Sequence, residues 1–206
     1  KFPEDILGEL AAFLDLITDP LAVRSSSLLE DSQYHPFAGV YETYMIPNSN
    51  PDPFIRLKDL LNTIKRVYAS TFYRSAKDYI RVTSYRLEEE KMAVIIQKMV
   101  GATHNNKFYP DFSGVGKSHN FYPVLPQTSE DGIVSVALGL GKIVVDGGNA
   151  LRFCPKYPLH LQQLSTIEDT LQNNQNEFFA LTLTEQQNPV VLTPDMLVQT
   201  FDLQIA

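Results

Sequence analysis

The sequence contains a single cysteine, no tryptophan and no apolar run long enough to cross a bilayer. Cys154 cannot form an internal disulfide and has no second cysteine with which to share a metal, so we expect a small buried hydrophobic residue. A membrane-spanning helix needs about 20 apolar residues, which argues against a membrane partner. No secretory signal is found, because Lys1 is closely followed by proline and acidic residues. These absences predict a cytoplasmic protein.

An excess of positive charge is also lacking. Lysine and arginine number 17 against 24 acidic residues, which gives a net charge of −7. Because nucleic-acid binding depends on clustered positive charge, this balance argues against a nucleic-acid partner. Residues 157–206 contain no lysine or arginine at all. We expect this acidic segment to form a peripheral subdomain, or to continue the domain that residues 1–156 form.

Hydrophobic periodicity predicts an α+β fold, with helices mainly early in the chain and strands mainly late. Apolar spacings of three and four predict helices over Pro3–Ile17 and from Pro53 to about Tyr85. The polar side of the second helix, which includes Arg56, is interpreted as a solvated face, with a phosphate-binding face as the less favoured alternative. Residues 102–127 are typical of a long hairpin or a pair of short strands. Other predicted strands are Leu21–Val23, Val40–Ile46, Met92–Val100, two within Gly132–Val145 around the turn Gly139-Leu140-Gly141, and, after a helix in the acidic segment, Phe178–Leu183 and Val190–Leu192.

Two segments have the composition of an anion site. In the first, Arg24 leaves a buried strand and is followed by three serines in a predicted turn, which offers a guanidinium and hydroxyls to an anion. In the second, Gly39 precedes a strand and allows the backbone to approach a ligand, and Thr43 adds a hydroxyl. Taken singly, the first segment also fits a surface salt bridge beside a polar turn, and the second fits a tight turn.

Other familiar sites are not indicated. No Gly-Lys-Ser/Thr follows the glycine turn, so it is not a Walker loop. The four histidines, His35, His104, His119 and His160, lack the spacing of zinc ligands, and no metal site is predicted. Ser118-His119 is interpreted as part of a polar loop and not as a nucleophile or phosphohistidine.

Taken in order, the segments resemble the ATP-binding domain of the phosphoenolpyruvate synthase and pyruvate phosphate dikinase family. The matching blocks follow the order of the family over roughly residues 20 to 155. They are Val23-Arg24-Ser25-Ser26-Ser27, Glu30-Asp31, Phe37-Ala38-Gly39 with Glu42-Thr43, Val67–Phe72 with Arg74-Ser75-Ala76, Met92–Val100, Ser113-Gly114-Val115 and Gly139–Gly147. The chain, which begins at Lys1 and not at methionine, is therefore expected to be an internal piece of that domain.

The resemblance implies an ATP-grasp-like nucleotide-binding domain, incomplete in this chain, in which two α+β subdomains hold ATP. It implies that Arg24 contacts the phosphates and that Gly39 and Thr43 belong to a loop over them. It also implies a hinge strand beside the adenine, which carries the matching positions Gln97, Met99 and Val100. The parent protein would use ATP and Mg²⁺ to phosphorylate a histidine on a second domain. The phosphoryl group would then pass to pyruvate, or to a similar acceptor, at a third, pyruvate-binding domain.

The sequence also departs from the family. The early lysine of the family, its Mg²⁺-binding Glu-x-Glu pair and the Thr-Ser-His motif of its histidine domain have no match, and Lys142 replaces the glutamate of Gly-Leu-Gly-Glu. No catalytic or metal-binding residue is therefore predicted, and the piece alone is expected to be inactive. Two alternatives stay open. One is a degenerate, non-catalytic nucleotide-binding module of a larger regulatory protein, and the other is an interaction domain that binds no nucleotide.

Overall fold

The computed structural model describes residues 2–30, 39–83, 86 and 90–183. They form two compact units, one from the described residues up to Met99 together with Leu183, and the other from Val100–Thr182. Both units combine helices with antiparallel sheets, which confirms the predicted α+β class. No helix in the described ranges is long and apolar enough to span a membrane. The motif residues Asp31, His35, Phe37 and Ala38 and the predicted strand Val190–Leu192 lie outside the described residues.

In the first unit, helices pack against one face of an antiparallel sheet. The elements are α1 (Glu4–Leu16), β1 (Leu21–Ser27), β2 (Thr43–Ile46), α2 (Pro53–Ser70), α3 (Arg74–Arg81) and β3 (Met92–Lys98). The order of the described strands is β2-β1-β3, so β1 lies in the middle. The early helix is confirmed, and the second predicted strand is shorter than expected because it begins at Thr43. The first is longer, because the serines expected in a turn pair with β3 as far as Ser27.

The core of the first unit forms where β1 meets the helices. Odd-numbered residues of β1 are buried and even-numbered ones are more exposed, because successive side chains of a strand point to opposite faces. The sheet therefore has one face in the core, and the even-numbered residues of β1 lie on the other. The core cluster contains Leu21 and Val23 of β1, Tyr44 and Ile46 of β2, Leu14 of α1, and Leu60, Ile64 and Val67 of α2.

The single helix predicted from Pro53 to about Tyr85 is two helices, α2 and α3. The first begins where the Asp52 carboxylate accepts a hydrogen bond from the N–H two residues later, at 2.9 Å. It ends because Phe72 and Tyr73 donate to carbonyl oxygens only three residues back, at 2.9 and 3.1 Å, which tightens the last turn. The prediction of one helix was wrong because Phe72 continues the apolar spacing although its side chain is 60% exposed.

The expectation that Arg56 lies on a solvated face was also wrong. Its side chain is buried, with 9% of its surface exposed. The Nη1 atom donates hydrogen bonds to the carbonyl oxygens of Leu14 and Ile17, at 2.9 and 3.3 Å. The last carbonyls of a helix lack partners within it and carry partial negative charge, so a cation from α2 caps the end of α1.

The elements of the second unit are β4 (Ala102–His104), β5 (Lys107–Tyr109), β6 (Phe112–Lys117), β7 (Ile133–Leu138), α4 (Lys142–Asp146), β8 (Leu151–Phe153), α5 (Ile167–Asn173) and β9 (Leu181–Thr182), with 3-10 turns at Ser129–Asp131 and Gln162–Leu164. The described strands form two small antiparallel sheets, β4-β5-β9 and β6-β7-β8. Cys154 is 2% exposed, which confirms its predicted burial. The segment expected to hold a hairpin or two short strands contains β4, β5 and β6, and the late strand is shorter than predicted.

The glycine turn after β7 leads into a helix and not into the second strand that the sequence predicts. Gly139 has a φ of +75°, and a Cβ there would lie 2.7 Å from Cδ2 of Phe178, so the turn requires glycine. Ile143 of α4 packs with Ala137 and Ala150 in the core of this unit. The strand prediction was wrong because the β-branched residues of this segment favour a strand by propensity, whereas one helical turn already buries Ile143.

The described part of the acidic segment contains amide side chains that bind strand backbones. Gln163 accepts a hydrogen bond from the N–H of Arg152 at 2.7 Å and donates to the carbonyl oxygen of Ala150 at 3.2 Å. Gln175 accepts from the N–H of Leu138 at 2.7 Å and donates to its carbonyl oxygen at 3.1 Å. These glutamines therefore satisfy backbone groups of β7 and β8. A domain boundary at residue 156 stays a prediction.

Candidate functional site

Three of the predicted site residues lie on one face of the sheet in the first unit. Arg24 of β1 pairs directly with Thr43 of β2 and with Ile95 of β3. Gln97 pairs with Ala22, two residues before Arg24. Directly paired residues in antiparallel strands share a face with Cβ atoms about 5 Å apart, and diagonal neighbours lie about 7–8 Å apart. Arg24, Thr43 and Gln97 are exposed neighbours on the face opposite to the core.

The guanidinium of Arg24 is available to a ligand. Its side chain is exposed, and none of the ion pairs among the described residues includes it. A planar guanidinium presents parallel N–H donors that match two oxygens of a phosphate or carboxylate. Arg24 is thus suited to bind an oxyanion above the sheet, in contrast to Arg56, which is used inside the core.

Gly39 lies in the turn that leads into β2. Its φ of +76° is a conformation that glycine adopts without steric cost. A Cβ at this position would have no described atom within 4 Å, so the backbone is open to close approach. The N–H of Glu42 donates to Oγ of Ser70 at 3.3 Å and fixes the chain after the turn. The turn is therefore held beside the start of β2, where Thr43 pairs with Arg24.

The end of β3 offers backbone groups from alternate residues. The N–H of Met99 donates to the carbonyl oxygen of Pro20 at 2.9 Å. At the other end of the β1-β3 pair, the N–H of Leu28 donates to the carbonyl oxygen of Lys91 at 3.1 Å, so an odd-numbered residue on the β3 side bonds to the β1 side at both ends. In an antiparallel pair with this unbroken register, odd-numbered residues of β3 bond to β1 and even-numbered ones direct both groups to the opposite edge. The backbone of Lys98 is thus directed to the outer edge, whereas those of Gln97 and Met99 are used within the sheet.

Sequence reasoning missed Lys98, because the direction of its backbone follows only from knowing which strand β3 pairs with. Its ammonium lies 2.8 Å from the Asp19 carboxylate, which fixes the side chain on the other face from Gln97. Met99 is 8% exposed and Val100 is 83% exposed. Val100 is the first residue of the second unit, so the predicted hinge residues lie where the two units join in the chain.

Two buried tyrosines, one in β2 and one just before it, have raised pKa values. Burial raises the pKa of Tyr41 above its usual 10.0, and so does its hydrogen bond to the Glu90 carboxylate. Burial likewise raises the pKa of Tyr44, the neighbour of Thr43 in β2, with a further contribution from its hydrogen bond to Tyr73. The side chain of Tyr44 packs in the core, on the face of the sheet opposite to Arg24, and takes no part in the exposed surface.

Residues elsewhere that could suggest other chemistry are engaged in packing contacts. His119 packs edge-on against Phe121, with ring centres 4.7 Å apart. The ammonium of Lys142 lies 5.5 Å from the ring centre of Phe179. Within the described ranges, no group of three or more histidine, cysteine or acidic side chains could hold a metal ion. No magnesium ligand is therefore assigned to these residues.

A family model described as the pyruvate phosphate dikinase AMP/ATP-binding domain matches residues 1–204. The chain belongs to this family. The resemblance inferred from the ordered motifs is thereby confirmed, and the chain is an AMP/ATP-binding domain of the pyruvate phosphate dikinase type. The exposed sheet face with Arg24, Thr43 and Gln97 lies inside the matched region.

Curated relatives include phosphotransferases and phosphoenolpyruvate synthases. Rifampicin phosphotransferase of Bacillus cereus is 30% identical over 151 residues, which are 71% of this chain and 15% of that protein. The uncharacterized phosphotransferase YvkC of Bacillus subtilis is 30% identical over 129 residues, 62% of this chain and 13% of that protein. Phosphoenolpyruvate synthase of Aeropyrum pernix is 28% identical over 144 residues, 69% of this chain and 15% of that protein. The aligned part of the chain thus spans a small fraction of each relative's length.

Proposed function

We propose that the exposed face of the β2-β1-β3 sheet binds ATP, as part of an ATP-grasp-like domain in a phosphotransferase. The observation that carries this proposal is the register that makes Arg24, Thr43 and Gln97 neighbours. A guanidinium, a hydroxyl and an amide on one open surface supply donors for phosphates and a polar group for a base. Membership in the AMP/ATP-binding family supports the choice of nucleotide.

In this proposal the phosphates lie over β1 and β2. Arg24 binds phosphate oxygens through two parallel N–H groups, and the Thr43 hydroxyl donates to a neighbouring oxygen. The open backbone at Gly39 allows the turn before β2 to approach the same phosphates. Phosphoryl transfer depends mainly on alignment and on neutralisation of charge. These residues therefore position the nucleotide, and none of them is assigned as an acid or a base.

The adenine is proposed to lie beside the end of β3. The carbonyl oxygen of Lys98 is directed to the outer edge of the sheet and accepts a hydrogen bond from the adenine amino group. Gln97 contributes its side-chain amide, while Met99 and Val100 contribute apolar contacts to the flat face of the base. The N–H of Met99 takes no part in this recognition, because it already donates to Pro20.

For the parent protein we propose an ATP-dependent phosphotransferase of the cytoplasm. It would phosphorylate a histidine on a second domain and pass the phosphoryl group to pyruvate, or to a similar acceptor, bound by a third. Relatives named as phosphotransferases and phosphoenolpyruvate synthases support this extension. Phosphoryl transfer from ATP also uses Mg²⁺. No group of side chains among the described residues fits the ion, and we expect the piece alone to be inactive.

The second candidate is a degenerate, non-catalytic module that binds nucleotide or a partner in a larger regulatory protein. It is favoured by Lys142, which takes the position of a glutamate in the family motif. Its cation lies over the Phe179 ring, a contact that a carboxylate would not favour. This candidate predicts that the full-length protein binds ATP without consuming it. Measurement of ATP consumption with pyruvate and other acceptors therefore separates the two functions.

Titration calorimetry of the full-length protein with ATP tests the binding site. Arg24→Ala should weaken ATP binding by about 10- to 100-fold, because a charge-assisted hydrogen bond contributes about 1.5–3 kcal/mol. Arg152→Ala is the matched control, since Arg152 is exposed in β8, belongs to none of the ion pairs among the described residues and lies outside the blocks that match the family. Equal ATP affinity in the Arg24 variant and the wild type would remove Arg24 from the site.

A second titration tests recognition of the base. Inosine triphosphate carries an oxygen where ATP carries the amino group, and this oxygen cannot donate to the Lys98 carbonyl. We expect inosine triphosphate to bind at least about tenfold more weakly than ATP, since its oxygen and the Lys98 carbonyl oxygen are both hydrogen-bond acceptors. Gln97→Ala should also weaken ATP binding. Equal affinity for the two nucleotides would contradict the proposed position of the adenine.

A further inference from the structure

The three consecutive serines of β1 differ in what they bind. Oγ of Ser25 donates to the Glu30 carboxylate at 2.7 Å. The backbone N–H of Ser27 donates to the same carboxylate at 2.7 Å, and its Oγ accepts from the N–H of Glu30 at 3.2 Å. Both side chains are buried on the core face. Ser25 and Ser27 therefore fasten the end of β1 to the chain that follows it.

Ser26 lies between them and points to the opposite face. It is exposed, and no described residue hydrogen-bonds to its side chain. Its partner in β3 is Ala93, whose small side chain leaves the hydroxyl accessible. Because side chains two apart along a strand share a face, Ser26 stands beside Arg24 at a spacing of about 6.5–7 Å. A hydroxyl without a described partner thus continues the surface that Arg24 begins.

The exposed face changes its chemistry along β1. Toward the start of the strand it carries Ala22, with Met45 and Gln97 as cross-strand neighbours. Toward the end of the strand it carries Arg24, its neighbour Thr43, and then Ser26. The apolar end lies beside the end of β3 that is proposed to contact the adenine. The hydrogen-bond donors Arg24, Thr43 and Ser26 lie toward the other end of β1, away from the adenine. An extended polyphosphate laid along β1 would therefore run from Arg24 toward Ser26.

We infer that the Ser26 hydroxyl is a further phosphate-binding group, which donates a hydrogen bond to the terminal phosphoryl end of ATP. This inference rests on the proposed function, because it uses the same nucleotide and the same sheet face. In the ground state Ser26 donates to an oxygen of the terminal phosphoryl group, while Arg24 binds oxygens of the phosphates nearer to the adenine. Ser26 is thus a binding residue, and it forms no bond to phosphorus.

Calorimetric titrations of the full-length protein with ATP, ADP and AMP test this role. Ser26→Ala should weaken ATP binding by about tenfold, because one hydrogen bond to a charged group is lost, and should leave AMP affinity unchanged. Ser26→Thr keeps the hydroxyl, suits a strand and should retain most of the ATP affinity. Ser25→Ala separates structure from binding. It should lower the melting temperature, whereas Ser26→Ala should not.

The outcomes distinguish this inference from the proposed function. Selective loss of ATP affinity in Ser26→Ala, with rescue by Ser26→Thr, would support it. Equal ATP affinity in Ser26→Ala and the wild type would overturn the role of Ser26 and leave the rest of the site standing. Equal losses for ATP and AMP, together with a lower melting temperature, would also overturn it, because they indicate a structural role. Absence of nucleotide binding in the wild type would overturn both proposals.

Discussion

The Nη1 atom of Arg56 in α2 lies 2.9 Å from the carbonyl oxygen of Leu14 in α1. The same atom lies 3.3 Å from the carbonyl oxygen of Ile17, just after the end of α1. These carbonyls have no partners within the helix, and the guanidinium has left water to reach them. The charge and the helix end therefore depend on each other inside the core of the first unit.

Arg56→Met should lower the free energy of unfolding by about 1–3 kcal/mol, because it leaves the Leu14 carbonyl without a donor while keeping most of the side-chain volume. The Ile17 carbonyl keeps a second donor, the Asn48 side-chain amide at 2.9 Å. Chemical denaturation measures the change. Lys58→Met, an exposed position on the same helix, should change it by less than about 0.5 kcal/mol. Similar losses in the two variants would mean that the Arg56 hydrogen bonds contribute no net stability.

Gly139→Ala should destabilise the second unit by about 2–4 kcal/mol. The new Cβ would lie 2.7 Å from both Cδ2 of Phe178 and the carbonyl oxygen of Phe179, in a backbone with φ of +75°. Gly8→Ala is the contrasting change, because Gly8 lies in α1 with nothing within 4 Å of its Cβ position. It should raise stability by about 0.5–1 kcal/mol. Thermal unfolding compares the two, and a tolerated Gly139→Ala would show that the turn can relax.

Gln175→Ala should lower the stability of the end of β7 by about 1–3 kcal/mol, because the N–H and the carbonyl oxygen of Leu138 each lose a hydrogen-bond partner. The local effect is expected in hydrogen exchange, where the amide of Leu138 should exchange faster than in the wild type. Asn176→Ala, at the exposed next position, serves as the control and should leave this rate unchanged. Unaltered exchange at Leu138 in the Gln175 variant would show that solvent replaces the amide without cost.

Asp131 makes stability depend on pH in acid. Its carboxylate accepts hydrogen bonds from Nζ of Lys156 at 2.8 Å and from the N–H of Thr128 at 2.7 Å, and these hold its pKa below the usual 3.8. As the pH falls, the unfolded chain takes up the proton first, so the stabilisation is present above pH 3.8 and is lost below it.

Asp131→Asn should therefore be less stable than the wild type at about pH 6, and the difference should shrink as the pH falls below about 4. Urea denaturation across this range measures it. Lys156→Met should reproduce part of the effect, because it removes the largest cause of the lowered pKa. A difference that stays constant from neutral to acid pH would show that the Asp131 charge does not stabilise the fold.

Much of the candidate site could be predicted from the sequence, because its motifs are local. The apolar residues before Arg24 indicated a buried strand, and the order of the later blocks indicated the family. The sequence could not indicate that β1 continues to Ser27. That extension depends on pairing with β3, which is distant in the chain, and on hydrogen bonds with the polar residue Glu30, which no apolar pattern indicates.

The errors have physical reasons of the same kind. Arg56 precedes Leu60 by four residues and therefore lies on the buried side of α2. The sequence-based prediction assigned it to the solvated face because its side chain is charged. The carbonyls that accept its hydrogen bonds belong to α1, and no pattern within α2 indicates them. The helix at Lys142–Asp146 was missed because local propensity favours a strand there, whereas the packing of Ile143 decides the conformation.

The alternation along β1 has a consequence for how the protein tolerates change. Saturation mutagenesis across residues 21–27 should separate into two interleaved series in a single strand. Substitutions at odd positions should reduce the amount of folded protein, because those side chains form the core or bind Glu30. Substitutions at even positions should leave the protein yield unchanged and alter nucleotide affinity. Neighbouring positions of the seven-residue strand β1 would therefore affect folding and ligand binding alternately.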